Sequence, residues 1–415
     1  MPSSPDSGRR GLLPLVGAVL LCVPWLALSQ THAVGTPWLV AILTGAAILG
    51  AAFLLSWAAE LIQVDVSQAL ALALLALIAV LPEYAVDAVF AFQAGQDPVV
   101  AQEGYAIANM TGANRLLIGI GWSSVVLVAW WRHGARSVRL DRSQVLELGV
   151  LLVASLYALS IPLKGELNLL DTLVLVSLFG VYTWATARAP AEEPDLAGPA
   201  ETLARLPTRS RRAVTLALFA FAALMIFLAA EPFAHGLVAT GAAFGIDEFV
   251  LVQWLAPLAS EAPEFVVALL FVWRGHASAG MRTLISSKVN QWTLLIATLP
   301  LVFSLGAGAL SGMPLVPRQQ QELWLTAAQS LFAIVLIGDM QIQRWKAAAL
   351  IVPFVAQLLL PPQIGPINTH VAFTVGYLSA TLVLLLHPRW RAAIPRWAAR
   401  WRPGSTTTAP RAVRH

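Results

Sequence analysis

Two glutamates, Glu261 and Glu264, lie three residues apart in the segment PLASEAPE (257–264), in the middle of a long apolar run. A second acidic pair, Glu83 and Asp87, lies four residues apart in another apolar run, which contains LPEYAVD (81–87). Residues at these spacings share one face of a helix. A carboxylate inside a membrane segment is costly, so a functional role is its default interpretation. Carboxylate oxygens favour hard cations, here Ca²⁺, Na⁺ or H⁺, with Mg²⁺ as a further candidate.

A proline precedes one glutamate of each pair: Pro82 precedes Glu83, and Pro263 precedes Glu264. Within a membrane helix, proline removes a backbone donor and leaves a carbonyl group without its partner. Such carbonyls are tolerated where protein lines a cavity, and there they can ligate a cation. The two Pro-Glu segments therefore predict one cation site that both helices share.

The composition indicates that these segments lie in a membrane. Of the 415 residues, 58% are hydrophobic and 12% are charged, and the mean hydropathy is +0.72. These values are typical of an all-α polytopic membrane protein. The single cysteine, Cys22, excludes an internal disulfide and a cysteine-based metal site.

The sequence pI near 9.6 could indicate nucleic-acid binding. However, the basic residues lie in loops between apolar segments, where membrane topology explains them better. We therefore expect membrane lipid and small inorganic cations as partners, and no nucleic acid. The sequence fits a monomer and a homodimer equally.

Apolar runs long enough to cross a bilayer as helices recur along the chain. We predict about twelve, at residues 11–29, 37–58, 69–94, 103–131, 143–163, 168–187, 213–231, 247–273, 283–310, 323–341, 347–360 and 370–387, with the stretch 232–246 ambiguous. With both termini in the cytoplasm, the cytoplasmic loops contain most of the 26 lysine and arginine residues, whereas the opposite loops contain only Lys164 and Arg318. This bias follows the positive-inside rule, so it supports the count and the orientation.

The span count divides the chain into five parts. Residues 1–36 contain an N-terminal helix, which is either a membrane anchor or a cleaved signal sequence. Residues 37–187 and 213–360 form two halves of five helices each. Residues 188–212, rich in proline, alanine and charge, form a cytoplasmic linker, and residues 361–415 contain the last helix and a basic cytoplasmic tail. We expect the protein in a bacterial inner membrane.

The two halves share an order of motifs. WAAE (57–60) precedes the acidic helix of the first half, and LAAE (228–231) precedes that of the second. A Pro-Glu pair follows in each half, and Asn114 in TGANRLLIG then matches Asn290 in SKVNQWTLLI. By the span count, the helix with Glu83 runs outward and the helix with Glu264 runs inward. Halves related by such an inversion are typical of secondary transporters, which bind substrate near the membrane midplane.

Two basic residues accompany the acidic ones inside the predicted helices: Arg115 adjoins Asn114, and Lys288 lies two residues before Asn290. Two interpretations of Asp87 and Glu261 stay open. Either each is a cation ligand, or Asp87 pairs with Arg115 and Glu261 with Lys288 in ion pairs that tie helices together. Four carboxylates less two basic groups leave about two negative charges, which suits one divalent cation or two monovalent ions.

With Pro-Glu and a downstream asparagine in both halves, residues 37–360 resemble the sodium/calcium exchanger superfamily of cation/Ca²⁺ antiporters. In that family the first motif reads Gly-Thr-Ser-x-Pro-Glu and the second reads Gly-Ser-Asn-Ile-Phe-Asn. The resemblance implies two inverted five-helix repeats, plus one extra helix at each end of this chain. It also implies a set of ion ligands, which by matching position are Glu83, Glu264, Asn114, Asn290, Ser260 and Ser286.

The chain also departs from the family motifs. Ala79 and Val80 stand where the family has hydroxyl residues, Met110 stands where it has serine, and Glu261 replaces a serine. The two basic residues inside the helices are additions. These departures argue against the family's full set of three Na⁺ sites beside one Ca²⁺ site.

The resemblance implies a secondary active antiporter that exchanges Ca²⁺ for Na⁺ or H⁺ by alternating access, with Na⁺/H⁺ exchange as the alternative. An intramembrane enzyme is disfavoured because the sequence has no His-Glu-x-x-His motif, and LIGD (336–339) lacks the first glycine of an aspartyl protease motif. We therefore expect no enzyme activity, and no cofactor beyond the transported cations. A channel or a membrane scaffold is the remaining class, and duplicated carboxylates inside the membrane argue against a scaffold.

Overall fold

The computed structural model describes residues 11–29, 36–65, 81–141, 143–188, 196 and 198–388, and most of them are helical. In chain order the helices are α1 (Leu13–Ser29), α2 (Pro37–Ile62), α3 (Leu81–Gln96), α4 (Pro98–Glu103), α5 (Tyr105–Leu116), α6 (Ser123–His133), α7 (Ser143–Ala158), α8 (Ile161–Lys164), α9 (Leu169–Ala187), α10 (Pro199–Leu203), α11 (Thr208–Phe244), α12 (Glu248–Trp273), α13 (Ala277–Asn290), α14 (Ile296–Ala307), α15 (Pro317–Leu336), α16 (Arg344–Leu359) and α17 (Thr369–Leu386). Two π-helical segments, π1 (Leu117–Trp122) and π2 (Gln291–Leu295), join α5 to α6 and α13 to α14.

Eight helical stretches in the described residues are long and apolar enough to cross a membrane. They are Pro37–Ile62, Pro98–His133, Ser143–Lys164, Leu169–Ala187, Thr208–Phe244, Glu248–Trp273, Ala277–Ala307 and Thr369–Leu386. The prediction of twelve spans also includes α1, α15 and α16, which are not among the eight, and a span that begins in residues 66–80, outside the described residues. Residues 1–10 and the predicted tail after residue 388 also lie outside them.

Local sequence explains several helix boundaries. Asn168 caps α9 by accepting hydrogen bonds from the backbone N–H groups of Leu170 and Asp171, and the Asp171 side chain accepts one from the Asn168 backbone N–H. This capping box satisfies backbone donors that the helix itself cannot pair. Between α4 and α5, Gly104 has φ of +71°, a conformation that favours glycine, and it turns the chain from one helix into the next.

Two segments that lie outside the predicted spans contain helix in the structure. The ambiguous stretch 232–246 continues α11, which runs 37 residues from Thr208 to Phe244 in spite of Pro232. Neighbouring helices can stabilise a membrane helix that contains proline, and α11 packs along α2. The predicted linker is also partly folded, because α10 lies within it and buries Pro199, Ala200 and Leu203.

Short antiparallel ladders join loops that are distant in sequence. Strand β1 (Ser137–Arg139) pairs with β4 (Gln341–Gln343), and β2 (Glu166–Leu167) pairs with β3 (Met313–Pro314). A local hairpin of β5 (Gln363–Ile364) and β6 (Ile367–Asn368) precedes α17. Each ladder between distant loops joins two loops that the span count places on the same side of the membrane.

Ion pairs follow the same rule. Arg211 donates to Asp65 at 2.8 Å, and Arg282 donates to Asp141 at 2.7 Å. These four residues belong to loops and helix ends predicted to be cytoplasmic. On the opposite side, Arg318 lies 2.8 Å from Asp247. The loops of one predicted side therefore contact one another. This agrees with the predicted spans, because only loops separated by an even number of spans lie on the same side of the membrane.

The core of the bundle brings α3, α5, α12 and α13 together. Helix α12 packs against α5 and α13, and α3 packs against α5. At the α5–α12 contact, a Cβ atom on Gly112 would lie 1.9 Å from the carbonyl oxygen of Gln253. Only glycine permits this close approach, which sets the two site helices against each other.

Candidate cation site

The four predicted carboxylates are all buried in the core of the bundle. Helix α3 carries Glu83 and Asp87, each 1% exposed. Helix α12 carries Glu261 and Glu264, which are 0% and 7% exposed. Among the described residues, no hydrogen-bond partner is found for either oxygen of Glu83 or for one oxygen on each of the other three. Buried carboxylate oxygens without donors are costly, so a cation or a proton is the partner that they require.

The carboxylates of the two helices influence one another. The charge of Glu83 lies within electrostatic range of Glu261, Glu264 and Asp87. Within the described part of the chain, however, no three acidic, histidine or cysteine side chains converge closely enough to hold a metal ion. The structure thus gathers the carboxylates at the contact of α3 with α12 without closing them around one point.

Amide side chains complete the polar lining of the site. Asn109 donates to Asp87 Oδ1 at 2.9 Å, and Gln291 donates to Glu261 Oε1 at 2.8 Å. Among the described residues, no donor contacts the side-chain oxygens of Asn109 and Gln291. These two oxygens can therefore ligate a cation. Sequence reasoning missed both residues. The sequence positions of both residues could have indicated them. Gln291 directly follows Asn290, and Asn109 lies near the start of the Asn114 motif.

The two matched asparagines lie near the carboxylates but differ in their contacts. Asn290 accepts a hydrogen bond from the hydroxyl of Tyr84 at 3.1 Å, and Tyr84 is the neighbour of Glu83 on α3. Asn114 accepts one from the ammonium group of Lys288 at 2.9 Å. Both asparagines therefore lie at the site, and Asn114 contacts a cationic group there.

The proposed pairing of Lys288 with Glu261 is wrong as a direct contact. The Lys288 Nζ atom donates to the side-chain oxygen of Asn114 at 2.9 Å and to its backbone oxygen at 3.3 Å, and it lies 4.7 Å from the centre of the Trp292 ring. Glu261 instead accepts from Gln291. The ammonium group is fully buried, and it contacts a predicted ion ligand on α5 because α13 crosses close to that helix.

The proposed pairing of Arg115 with Asp87 is also wrong. Arg115 lies 2.6 Å from Glu322 on α15, and its guanidinium group stacks 5.1 Å from the Trp254 ring centre. Residues 114 and 115 are adjacent on a helix, so their side chains point about 100° apart, and Arg115 faces α15 while Asn114 faces α13. Arg115 is therefore neutralised outside the site. Among the described residues, Lys288 is the basic residue that contacts a predicted ligand, Asn114, and its charge also acts on Glu261.

The two serines carried over from the family motif do not contact the carboxylates. Ser260 donates to the backbone oxygen of Ala256, within its own helix. The Ser286 hydroxyl lies 3.2 Å from that of Tyr182, which in turn donates to Glu147. The next serine, Ser287, lies closer to the site, since it accepts a hydrogen bond from Gln291.

The helices that carry the asparagines share an irregularity. Segment π1 begins three residues after Asn114, and π2 begins directly after Asn290. A π-helical turn loosens the regular backbone hydrogen bonds and is frequent at functional sites. The two halves of the chain therefore place the same local distortion beside the same motif residue.

Comparison with known proteins agrees with this geometry. The sequence matches the family described as sodium/calcium exchanger protein over residues 36–187 and 214–361. No significantly similar sequence was found among the curated proteins. Among solved structures, the crystal structure of the H⁺/Ca²⁺ exchanger CAX is similar, with a TM-score of 0.88 and 42% identity over 94% of this chain and 98% of the other.

Two more distant structures share the fold. Native YfkE has a TM-score of 0.60 and 14% identity, over 89% of this chain and 99% of the other. The sodium–calcium exchanger NCX_Mj has a TM-score of 0.51 and 17% identity, over 83% of this chain and 99% of the other. With a family match over both halves and 42% identity to an exchanger of known structure, the chain belongs to the sodium/calcium exchanger family, a family of integral membrane transporters within the cation/Ca²⁺ antiporters.

Proposed function

We propose that this protein exchanges Ca²⁺ for H⁺ across the membrane at the carboxylates of α3 and α12. The observation that carries the proposal is the set of buried carboxylate oxygens that lack donors, above all both oxygens of Glu83. Ca²⁺ takes six to eight oxygen ligands and accepts carboxylates, amide oxygens and backbone carbonyls. Glu83, Asp87, Glu261, Glu264, Asn114 and Asn290 are of these types.

The charges of the site suit this exchange. One Ca²⁺ ion neutralises two carboxylates, and so do two protons. Ca²⁺ and protons cannot occupy the same buried oxygens together, because their positive charges repel one another. Competition for the carboxylates would therefore couple the two fluxes. The similarity to the H⁺/Ca²⁺ exchanger CAX, at 42% identity, supports H⁺ rather than Na⁺ as the counter-ion.

Alternating access follows from the proposed topology. We infer twelve spans, with the two halves arranged as inverted five-helix repeats and α1 and α17 outside them. The matched π segments and the ladders between same-side loops support this arrangement. In such transporters one group of helices rocks against the other around a fixed midplane site. A rocking motion of α3 against α12 would bring the carboxylates together around the ion.

Transport by the full-length protein reconstituted in lipid vesicles tests the function. We expect uptake of radioactive Ca²⁺ to follow an imposed proton gradient. The Glu264→Gln variant should lose this uptake, and Glu103→Gln, the same change at an exposed glutamate at the end of α4, serves as the control. Uptake that follows a Na⁺ gradient but not a proton gradient would replace H⁺ by Na⁺ as the counter-ion. Equal Ca²⁺ flux without any gradient of a counter-ion would indicate a channel instead.

The orientation is tested separately. We propose a bacterial inner membrane location with both termini in the cytoplasm. A reporter fused after residue 200 should then be cytoplasmic, and one inserted at residues 311–321 should lie on the opposite side. Reporters on the same side would contradict both the span count and the inverted repeats.

A further inference from the structure

The last helix, α17, lies outside the residues that match the exchanger family, which end at residue 361. It is nevertheless attached to the bundle through specific contacts with α15. Asn368, directly before α17, donates to the side chain of Gln321 at 3.0 Å. The Tyr377 and Phe332 rings pack with their centres 5.4 Å apart. An accessory helix therefore reaches the interior of the exchanger repeats.

One residue of this helix contacts the buried ion pair described above. His370 Nε2 lies 3.2 Å from Glu322 Oε1, while Glu322 Oε2 lies 2.6 Å from Arg115 Nη2. The His370 side chain is 21% exposed, whereas those of Arg115 and Glu322 are almost fully buried. A partly accessible imidazole is thus linked through one carboxylate to the guanidinium group next to Asn114.

The net charge of the cluster formed by Arg115, Glu322 and His370 depends on whether the imidazole is protonated. Gln253 of α12 faces Glu322, and Tyr377 faces Arg115. The Trp254 ring covers the guanidinium group. With a neutral imidazole, the charges of Glu322 and Arg115 cancel. With a protonated imidazole, Glu322 is shared between two cations, and the cluster, whose Arg115 adjoins Asn114 in α5, carries one net positive charge.

We propose that His370 is a proton-responsive positioning residue for cation binding. Protonation of its imidazole loosens the hold of Glu322 on Arg115 and adds a positive charge near Asn114, and both effects weaken binding of a divalent cation at the carboxylates. Histidine changes charge between about pH 5 and pH 8. Charges act over longer distances in a poorly polar interior than in water. This inference rests on the proposed function, since it requires that Asn114 and the carboxylates bind Ca²⁺.

Equilibrium binding of radioactive Ca²⁺ to the purified full chain tests the proposal. The variants are His370→Gln, which stays neutral, and His370→Arg, which stays charged. Exposed His276, before α13, provides the control variant His276→Gln. We expect the arginine variant to bind Ca²⁺ roughly threefold to tenfold more weakly than the glutamine variant, on the scale of a unit charge acting on a divalent ion. The affinities are compared at pH 7.5 and at pH 6, and the wild type should lie closer to the arginine variant at the lower pH than at the higher one.

Competition by protons at the carboxylates affects every variant equally, so the ratio of affinities between variants at each pH is the measured quantity. If His370→Arg does not fold, His370→Gln still decides the question, because it should bind Ca²⁺ more tightly than the wild type near pH 6. Equal affinities of wild type and His370→Gln at both pH values would overturn the inference alone. Absence of Ca²⁺ binding by the wild type would overturn the proposed function together with it.

Discussion

Replacing Glu83 by glutamine should leave the protein at least as stable as before and yet weaken its binding of Ca²⁺ strongly. Glutamine has the shape of glutamate without its charge. The Glu83 side chain is 1% exposed, and neither of its oxygens accepts a hydrogen bond from another residue in the described part of the chain. The substitution therefore removes no favourable contact of the cation-free protein. It does remove a buried charge that no described cationic side chain contacts.

The substitution should affect stability and Ca²⁺ affinity in opposite directions. Without cations, the free energy of unfolding should stay the same or rise by about 1–2 kcal/mol, because a neutral amide is cheaper to bury than an unpaired carboxylate. Ca²⁺ affinity should fall by roughly a hundredfold, which corresponds to about 3 kcal/mol and to the upper range for a contact with a charged group.

Glu322 provides a matched control on another helix. It is buried to the same extent as Glu83, but its carboxylate lies 2.6 Å from Arg115. Removing one partner of a buried ion pair costs about 3–5 kcal/mol. The change Glu322→Gln should therefore lower the unfolding temperature clearly, although it is chemically the same substitution.

Thermal unfolding in detergent with a chelator measures the stabilities, and equilibrium Ca²⁺ binding measures the affinities. The reasoning is refuted if Glu83→Gln is destabilised as much as Glu322→Gln while it binds Ca²⁺ like the wild type. Glu83 would then hold the fold together through a partner and would not be an ion ligand.

Three further predictions follow from other contacts. In a double-mutant cycle of Lys288→Met and Asn114→Ala, the free energies of unfolding should show a coupling of about 1–3 kcal/mol, and additive losses would contradict the hydrogen bond between them. Gly112→Ala should destabilise the protein by about 1–3 kcal/mol, since its new Cβ would collide with a carbonyl of α12; Gly180→Ala, which has open space around it, should be neutral or slightly stabilising, and equal effects would refute the close approach. Arg211 of α11 donates a hydrogen bond to Asp65 and lowers the pKa of that carboxyl. The stability that this pair contributes is therefore present above the unfolded-state pKa of Asp65, and it is lost as the pH falls through the lowered folded-state pKa. The unfolding temperatures of the wild type and Asp65→Asn should accordingly differ at neutral pH and converge in acid, and a difference that stays constant with pH would exclude the ion pair.

Much of the candidate site was predictable from local sequence. The acidic pairs, their prolines and the downstream asparagines lie in apolar segments, where a polar residue has few roles other than function. The partners of the basic residues were not predictable in this way. One of the two interpretations of the sequence paired Lys288 and Arg115 with the carboxylates because they are close to them in the motif order, but each side chain points where its helix rotation directs it. Arg115 therefore meets Glu322, whose sequence context near a helix start showed no such role.

The serines illustrate the same limit on a smaller scale. Ser286 and Ser287 are adjacent, and the family motif selected the first. A helix turns by about 100° per residue, so one of the two faces Tyr182 and the other faces Gln291. The motif selected the turn of α13 that contains both serines, and only the packing of α13 against its neighbours decided which hydroxyl lies towards Gln291.

The sequence by itself determined that this is a membrane protein with carboxylates buried at two matched positions, because hydrophobicity and the high cost of intramembrane charge are properties of short segments. It also identified the family, through motifs that lie close together in the chain. Only the tertiary structure decided which charge pairs with which, how the loops of the two halves join, and that α17 places His370 against Glu322. Those contacts link residues far apart in the chain, and they depend on the rotation and crossing of packed helices, which no single segment specifies.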